Sequence, residues 1–255
     1  MSDDVSPARS FGSAADLYDE IRPSYPAVAL GWALGPAPCR VVDLGAGTGI
    51  LTRVLRGLGH EVIPVEPDEA MCARLARATP GVQPLVGSAE SVPLPDGSVD
   101  AVVAGQSYHW FDPEPAHREI ARVLKPGGRF APIWNIRDES VPWVAKLSLI
   151  ADNLANVNGP SSVHHGGHAS GKLDRDFGPG FGPIDRELFR HEVAMTADSL
   201  VKLMASRSYY LTASPDQRLG IEAAVRDLAA DLSPTFPLPY VTVVYRATRR
   251  QRCQP

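Results

Sequence analysis

Three glycines alternate with other residues in Gly45-Ala46-Gly47-Thr48-Gly49, directly after the run Val41-Val42-Asp43-Leu44. Glycine at such a place permits positive φ and lets a bound group approach the backbone with no Cβ in the way. Helical spacing begins at Ile50, so the turn opens a helix whose free N–H groups and positive dipole end face whatever the glycines admit. That suits the carboxylate, amino acid or ribose part of a nucleotide-like ligand. Taken alone, the same turn is equally a tight strand-to-helix connection. About 20 residues further on, Glu66 closes the run Val62-Ile63-Pro64-Val65. An acid at the end of a second strand can accept both hydroxyls of a ribose, or it can cap the next helix from the surface. His109 follows a fourth apolar run and has the side chain for proton transfer near neutral pH. His164, His165 and His168 form a denser cluster, but the glycines around them indicate a mobile segment, a candidate substrate lid, and no metal is expected there.

These residues need elements to hold them. Residues 41–44 read as a buried parallel strand and 50–58 as a helix. A second strand is expected over 60–65, and a helix capped by Asp68 runs to about residue 78. A third strand is expected over 82–87 and a fourth over 99–104, after the turn Pro95-Asp96-Gly97. A helix over 113–124 stops at Lys125-Pro126-Gly127-Gly128, and a fifth strand covers 129–135. Strands alternating with helices imply a parallel sheet covered on both faces. Beyond residue 135 the rhythm changes: a helix over 142–157, a Gly-, Ser-, Pro- and His-rich loop over 159–183, a strand over 188–195, helices over 197–206 and 215–232, and a last strand over 240–247.

The chain has 255 residues, a net charge of −4 with both signs dispersed, and three cysteines, Cys39, Cys72 and Cys253, without metal-ligand spacing. These features argue against a disulfide framework and a nucleic-acid-binding face, and point to a reducing, cytoplasmic setting. Arg246, Arg249, Arg250 and Arg252 read as a solvated tail. No apolar run reaches membrane-spanning length and the N-terminus carries no secretory pattern, so no membrane partner is expected. The organisation expected is a disordered tail over 1–10 and one domain over 11–255. That domain divides into a helical lead-in (11–38), a cofactor-binding core (39–135), a cap or lid insertion (136–188) and the C-terminal part of the sheet (189–255).

The glycine turn and Glu66 alone do not separate a methyltransferase from an NAD(P)-dependent oxidoreductase or from a scaffold that has kept the fold without turnover. The spacing leans one way: the dinucleotide fingerprint Gly-x-Gly-x-x-Gly needs a glycine where Ile50 stands. With residues 41–49 and Glu66, the stretch Gly87-Ser88-Ala89-Glu90-Ser91-Val92-Pro93-Leu94-Pro95-Asp96-Gly97 and the stretch Ala121-Arg122-Val123-Leu124-Lys125-Pro126-Gly127-Gly128 resemble class I S-adenosylmethionine-dependent methyltransferases, in the branch called methyltransferase type 11. Tyr18-Asp19-Glu20-Ile21-Arg22-Pro23-Ser24-Tyr25-Pro26, Gln106-Ser107-Tyr108-His109-Trp110-Phe111-Asp112, Trp134-Asn135-Ile136-Arg137-Asp138-Glu139 and Ser206-Arg207-Ser208-Tyr209 are similar to the group related to trans-aconitate methyltransferase.

The resemblance implies a Rossmann-like, doubly wound α/β fold with a seven-stranded sheet of order 3-2-1-4-5-7-6 and strand 7 antiparallel. It implies S-adenosyl-L-methionine as cofactor, with S-adenosyl-L-homocysteine as product, and a small-molecule acceptor, its methylated atom most readily a carboxylate or hydroxyl oxygen. Asp43 and Gly45, Ala46, Gly47, Thr48 and Gly49 would hold the methionine part and the ribose side. Glu66 would take the ribose hydroxyls, and Pro67 would lie beside the adenine. Ser88, Ala89 and Glu90 would border the adenine, with Ser88 standing where many relatives have Asp and gripping more weakly. Gln106 would lie near the methionine part, and Tyr18, Arg22 and Tyr25 would fold over the cofactor. His109 would serve as a base, or as a contact that packs against or orients the acceptor.

Overall fold

The protein is described by a computed structural model at residues 22–157, 173, 176–206, 210 and 213–251. The expectations for the tail 1–10, for Tyr18, for most of the loop 159–183 with His164, His165 and His168, and for residues 207–209 lie outside the described residues.

The chain enters with α1 (Ala27–Leu34) and then alternates strand and helix. In order come β1 (Arg40–Leu44), α2 (Ile50–Gly57), β2 (Glu61–Glu66), α3 (Glu69–Ala78), β3 (Leu85–Val86) and β4 (Val99–Gly105). A single 3-10 turn (Tyr108–Trp110), α4 (Pro113–Val123) and β5 (Leu124–Arg137) follow. Then come α5 (Pro142–Val157), β6 (Asp185–Met195), α6 (Ala197–Ala205), α7 (Pro215–Ala230) and β7 (Phe236–Thr248). The seven strands form one sheet in the order β3-β2-β1-β4-β5-β7-β6. Neighbours from β3 to β5 run parallel, and β7 runs antiparallel to both β5 and β6. This is the Rossmann-like order expected, and the strand order reverses between β1 and β4, where such sheets open a crevice at the carboxyl ends of the strands.

Four strands, β3, β5, β6 and β7, depart most from the sequence pattern. β3 is two residues long, not six. Val82 is buried instead against Ala46 and Leu75, so its apolarity serves the underside of the glycine turn. β5 begins at Leu124, immediately after α4, so the Lys-Pro-Gly-Gly stretch ends the helix but joins the strand through an irregular register beside Val99 and Ala101. β6 and β7 pair along eleven positions from Asp185↔Arg246 to Met195↔Phe236. Pro237 and Pro239 masked that length, since proline interrupts a strand pattern. They are tolerated because β5 ends at Arg137↔Tyr240, and beyond it Pro239 needs only its carbonyl, which accepts the Asp138 N–H at 2.9 Å.

The core has a layer on each sheet face and a third part beside it. Tyr108, Phe130, Trp134, Phe177 and Phe181 pack beneath α4. Leu30, Ala33, Leu51, Leu55 and Ile133 pack beneath α1 and α2. Where β6 and β7 outrun the parallel strands, α5, α6 and α7 share a separate cluster with Phe236, Leu238 and Tyr240.

Helix entry is set by local chemistry. Asp68 caps α3, its carboxylate accepting from Ala70 N at 2.8 Å and Met71 N at 3.1 Å. Asp68→Ala should therefore lower the unfolding free energy by about 1 kcal/mol in urea titration. A loss of no more than about 0.3 kcal/mol would show that water replaces the cap.

Candidate active site

The turn after β1 is folded back onto β2. Gly45 N and Ala46 N both donate to Val65 O, at 2.8 and 3.1 Å, and Gly45 adopts a φ of +71°. A Cβ on Gly45 would lie 2.6 Å from Ser107 Cβ, so the loop after β4 presses directly on the turn. Gly47 has a φ of +54° and nothing within 4 Å of the position a Cβ would take. Gly49 occupies the N-cap of α2 without a side-chain cap, whereas α3, α6 and α7 each have one. The first N–H groups of α2 are thus available to an acceptor that approaches the turn.

Two carboxylates flank this turn. Glu66, at the end of β2, is buried, and each of its oxygens accepts a backbone N–H: Gly47 N at 2.9 Å and Asp68 N at 3.1 Å. Burial holds its carboxyl above the usual carboxylate range, outweighing these two bonds, which favour the ionised form. Asp43, on β1, is buried and accepts from Thr52 Oγ1 at 2.6 Å. Burial pushes its carboxyl up to about 7, against the Thr52 bond and with the Glu66 charge adding to the rise. Thr48 is buried beside them, its carbonyl accepting from Arg53 Nη1 at 2.9 Å.

The end of β4 supplies the facing wall. Gln106 is the one non-glycine residue among those described with positive φ, at 55°. Backbone strain of this kind is held only where the surroundings over-determine it. Here Gln106 N donates to Ile133 O and Gln106 Nε2 to Asn135 O, both at 2.9 Å. Ser107 Oγ donates to Leu44 O at 2.7 Å, tying this loop to the end of β1. Tyr25 is buried with its hydroxyl 2.7 Å from where a Gly105 Cβ would stand, beside Leu51 of α2.

His109 is half-buried in the 3-10 turn, its ring centroid 4.8 Å from that of Trp110. Neighbouring Tyr108 points inward instead, its hydroxyl 2.9 Å from His117 Nε2. Of the aromatic residues near it, Trp134 is a core residue and Trp110 is exposed.

The remaining expected residues sit at the periphery. Arg22 Nη2 donates to Ser206 O at 3.1 Å, at the end of α6. Pro67 is exposed, Ala89 is buried, and the Ser88 backbone bridges Ser91. Glu90 Oε1 accepts from Asp112 N at 3.0 Å, so it braces the start of α4. Thr52, Ser107 and Asn135 carry interactions of this region that the sequence pattern did not assign. For Thr52 alone a signal existed, a hydroxyl in the first turn of the helix after the glycines. Two hollows of about 240 and 400 Å³ open at the amino ends of the strands, the first beside Lys125 and Arg129, the second beside Arg122 and Arg249. Neither is lined by a candidate residue.

The chain is similar to known methyltransferases. A methyltransferase-domain model matches residues 42–131. An uncharacterized methyltransferase of Mycobacterium tuberculosis is 41% identical over 94% of this chain and 95% of its own. An uncharacterized methyltransferase of Schizosaccharomyces pombe is 37% identical over 78% and 79%. Among solved structures, a type II methyltransferase candidate from Anaeromyxobacter dehalogenans is 28% identical, covers 89% of this chain and 97% of its own, and superposes with a TM-score of 0.63. With the strand order, these matches set the oxidoreductase alternative aside: the chain belongs to the class I S-adenosylmethionine-dependent methyltransferases.

Proposed function

We propose that this enzyme methylates an oxygen, carboxylate or hydroxyl, of a small-molecule acceptor, and that its donor site is built from Asp43, the turn over residues 45–49, Glu66 and Gln106. The observation that carries the donor site is the pinned Glu66 carboxylate, held toward the glycine turn by the Gly47 and Asp68 N–H groups. Each of its oxygens keeps a second lone pair for a ribose hydroxyl. The open side of Gly47 and the uncapped start of α2 fit a ligand that brings hydroxyl and carboxylate groups to this turn. The buried Asp43 carboxylate fits one that also brings positive charge.

When bound, S-adenosylmethionine supplies a methyl group on a sulfonium sulfur, ready for in-line attack. The chain's own task is to align the acceptor and exclude water. Gln106, strained and tied to β5, borders the donor site at the end of β4. His109 stands three residues further on. For a hydroxyl acceptor it takes the departing proton on an imidazole nitrogen. A carboxylate acceptor arrives without that proton, and His109 then orients it. Tyr25 covers the site from the lead-in, and Pro67, Ser88 and Ala89 are assigned to its adenine side. Glu90 and Arg22 act there indirectly, through Asp112 and α6.

Calorimetric titration with S-adenosylmethionine, S-adenosylhomocysteine and, as a control, NADH tests this assignment on the wild type and on Glu66→Ala. Both adenosyl ligands should bind and NADH should not. Glu66→Ala should weaken the binding by about 100-fold, the loss of two hydrogen bonds to a charged acceptor. Binding of NADH alone, or equal affinities in the two proteins, would remove the donor-site assignment. An acceptor panel of carboxylates, alcohols and amines then decides the atom methylated, and turnover confined to amines would refute oxygen.

A further inference from the structure

Asn135 lies at the carboxyl end of β5 and is buried, yet every polar group of its side chain is used. Its Nδ2 donates to Ser24 O at 3.1 Å and to Pro23 O at 3.3 Å. Its Oδ1 accepts from Thr242 Oγ1 of β7 at 2.6 Å. Its backbone carbonyl accepts from Gln106 Nε2. The two orientations of the amide are not equivalent. Two carbonyl oxygens face one end, and only the NH2 group can satisfy both. The other end must then be the oxygen, so the single proton of Thr242 is committed to it. Thr242, itself fully buried, can only accept from the third member, His191 Nδ1 on β6, at 3.3 Å. A chain of donors thus runs one way across the sheet, from β6 through β7 and β5 to the segment before α1.

That segment reaches the donor side. Pro23 and Ser24 immediately precede Tyr25, whose hydroxyl covers Gly105 beside the first turn of α2. The backbone carbonyl of the same Asn135 accepts from the Gln106 side-chain amide at 2.9 Å, tying that side chain to β5. Resting on the donor-site assignment above, we propose that Asn135 is a positioning residue: it clasps the entry segment at Pro23 and Ser24 to the carboxyl end of β5 while its backbone carbonyl fixes the Gln106 side chain, so that Tyr25 and Gln106 stand ready around the cofactor. Thr242 sets the orientation of the clasp. Neither residue touches the reacting atoms in this role.

The test uses Asn135→Asp, which keeps the shape and the acceptor for Thr242 but turns an oxygen toward two carbonyls. Thr242→Val and Thr242→Ser accompany it. S-adenosylhomocysteine affinity is measured by calorimetry, and amide hydrogen exchange is followed over residues 24–34 and over the rest of the chain. Asn135→Asp should weaken binding by about tenfold, Thr242→Val by a smaller factor, and Thr242→Ser should restore wild-type affinity. Exchange should quicken locally over residues 24–34, without matching acceleration elsewhere. A role in general stability would instead quicken exchange throughout and leave the affinity of the folded protein unchanged, and that result overturns the proposal. If Asn135→Asp fails to fold, the Thr242 pair decides alone: wild-type affinity and exchange in Thr242→Val overturn the clasp. A wild type that binds no adenosyl ligand would refute the donor-site assignment itself, whereas normal wild-type binding with indifferent variants refutes the clasp only.

Discussion

Gly45→Ala should lower the unfolding free energy by about 4 kcal/mol and abolish measurable binding of S-adenosylhomocysteine. Three contributions add. A side chain held at a φ of +71° carries a steric penalty of about 1–2 kcal/mol. The new Cβ would stand 2.6 Å from Ser107 Cβ and 2.9 Å from its Oγ, and relieving that overlap costs about 1–3 kcal/mol more. Moving Ser107 breaks its bond to Leu44 O, worth about 1 kcal/mol. The comparison that makes this decisive is Gly47→Ala, two residues away. Gly47 has positive φ too, but its Cβ would meet nothing within 4 Å, so the expected stability loss is only about 1 kcal/mol. Its Cβ would project into the open side assigned to the cofactor, so binding should fail in this variant as well. Denaturant unfolding and calorimetry on the same two proteins separate the effects. Equal stability losses would contradict the close approach of Ser107 to Gly45. Wild-type affinity in Gly47→Ala would show that a ligand uses another side of the turn.

The features legible beforehand were those that a short stretch of chain carries complete. The glycine turn, its helix and the acid at the end of β2 lie within 24 consecutive residues, from Asp43 to Glu66. Asp68 before α3 and the change of rhythm after β5 are local in the same way. The strand order came from the resemblance, because periodicity alone does not order strands. What was missed depends on contacts between distant residues. Ser107 reaches Leu44 across 63 positions, and Thr242 reaches Asn135 across 107. Asn135 lies within Trp134-Asn135-Ile136-Arg137-Asp138-Glu139, yet nothing near it in the chain shows that its amide faces Pro23 and Ser24. The shortened β3 has the same origin: Val82 has the residue type of a strand, and only the position of Leu75 and Ala46 shows that it packs below the turn. Pro237 and Pro239 misled for the opposite reason, since their local rule is overridden where β7 extends past its neighbour.

The second large effect is a pH dependence carried by Asp43. Burial raises its carboxyl from the ordinary 3.8 to about 7, so the folded protein holds a proton there that the unfolded chain has already released. Between these two values the folded state binds more protons than the unfolded one, and stability must fall as pH rises. The penalty is absent below about pH 4, grows through pH 5 and 6, and is complete above about pH 7, where it amounts to about 4 kcal/mol. Asp43→Asn cannot ionise. Its amide can still accept from Thr52, and any cost of placing its NH2 group is the same at every pH. The ligand-free wild type should therefore lose about 3 kcal/mol relative to Asp43→Asn between pH 4.5 and pH 8, measured by denaturant unfolding at fixed ionic strength. Glu66 shifts in the same direction but is present in both proteins, so the difference isolates Asp43 apart from their mutual repulsion. Parallel stability curves would mean that Asp43 is ionised without penalty. A cofactor that brings positive charge to the turn would favour the ionised carboxylate and recover part of this penalty on binding. Affinity for S-adenosylmethionine should accordingly rise from pH 6 to pH 8 in the wild type and stay flat in Asp43→Asn. The same buried acid that weakens the empty fold at neutral pH would then strengthen its hold on a cationic ligand.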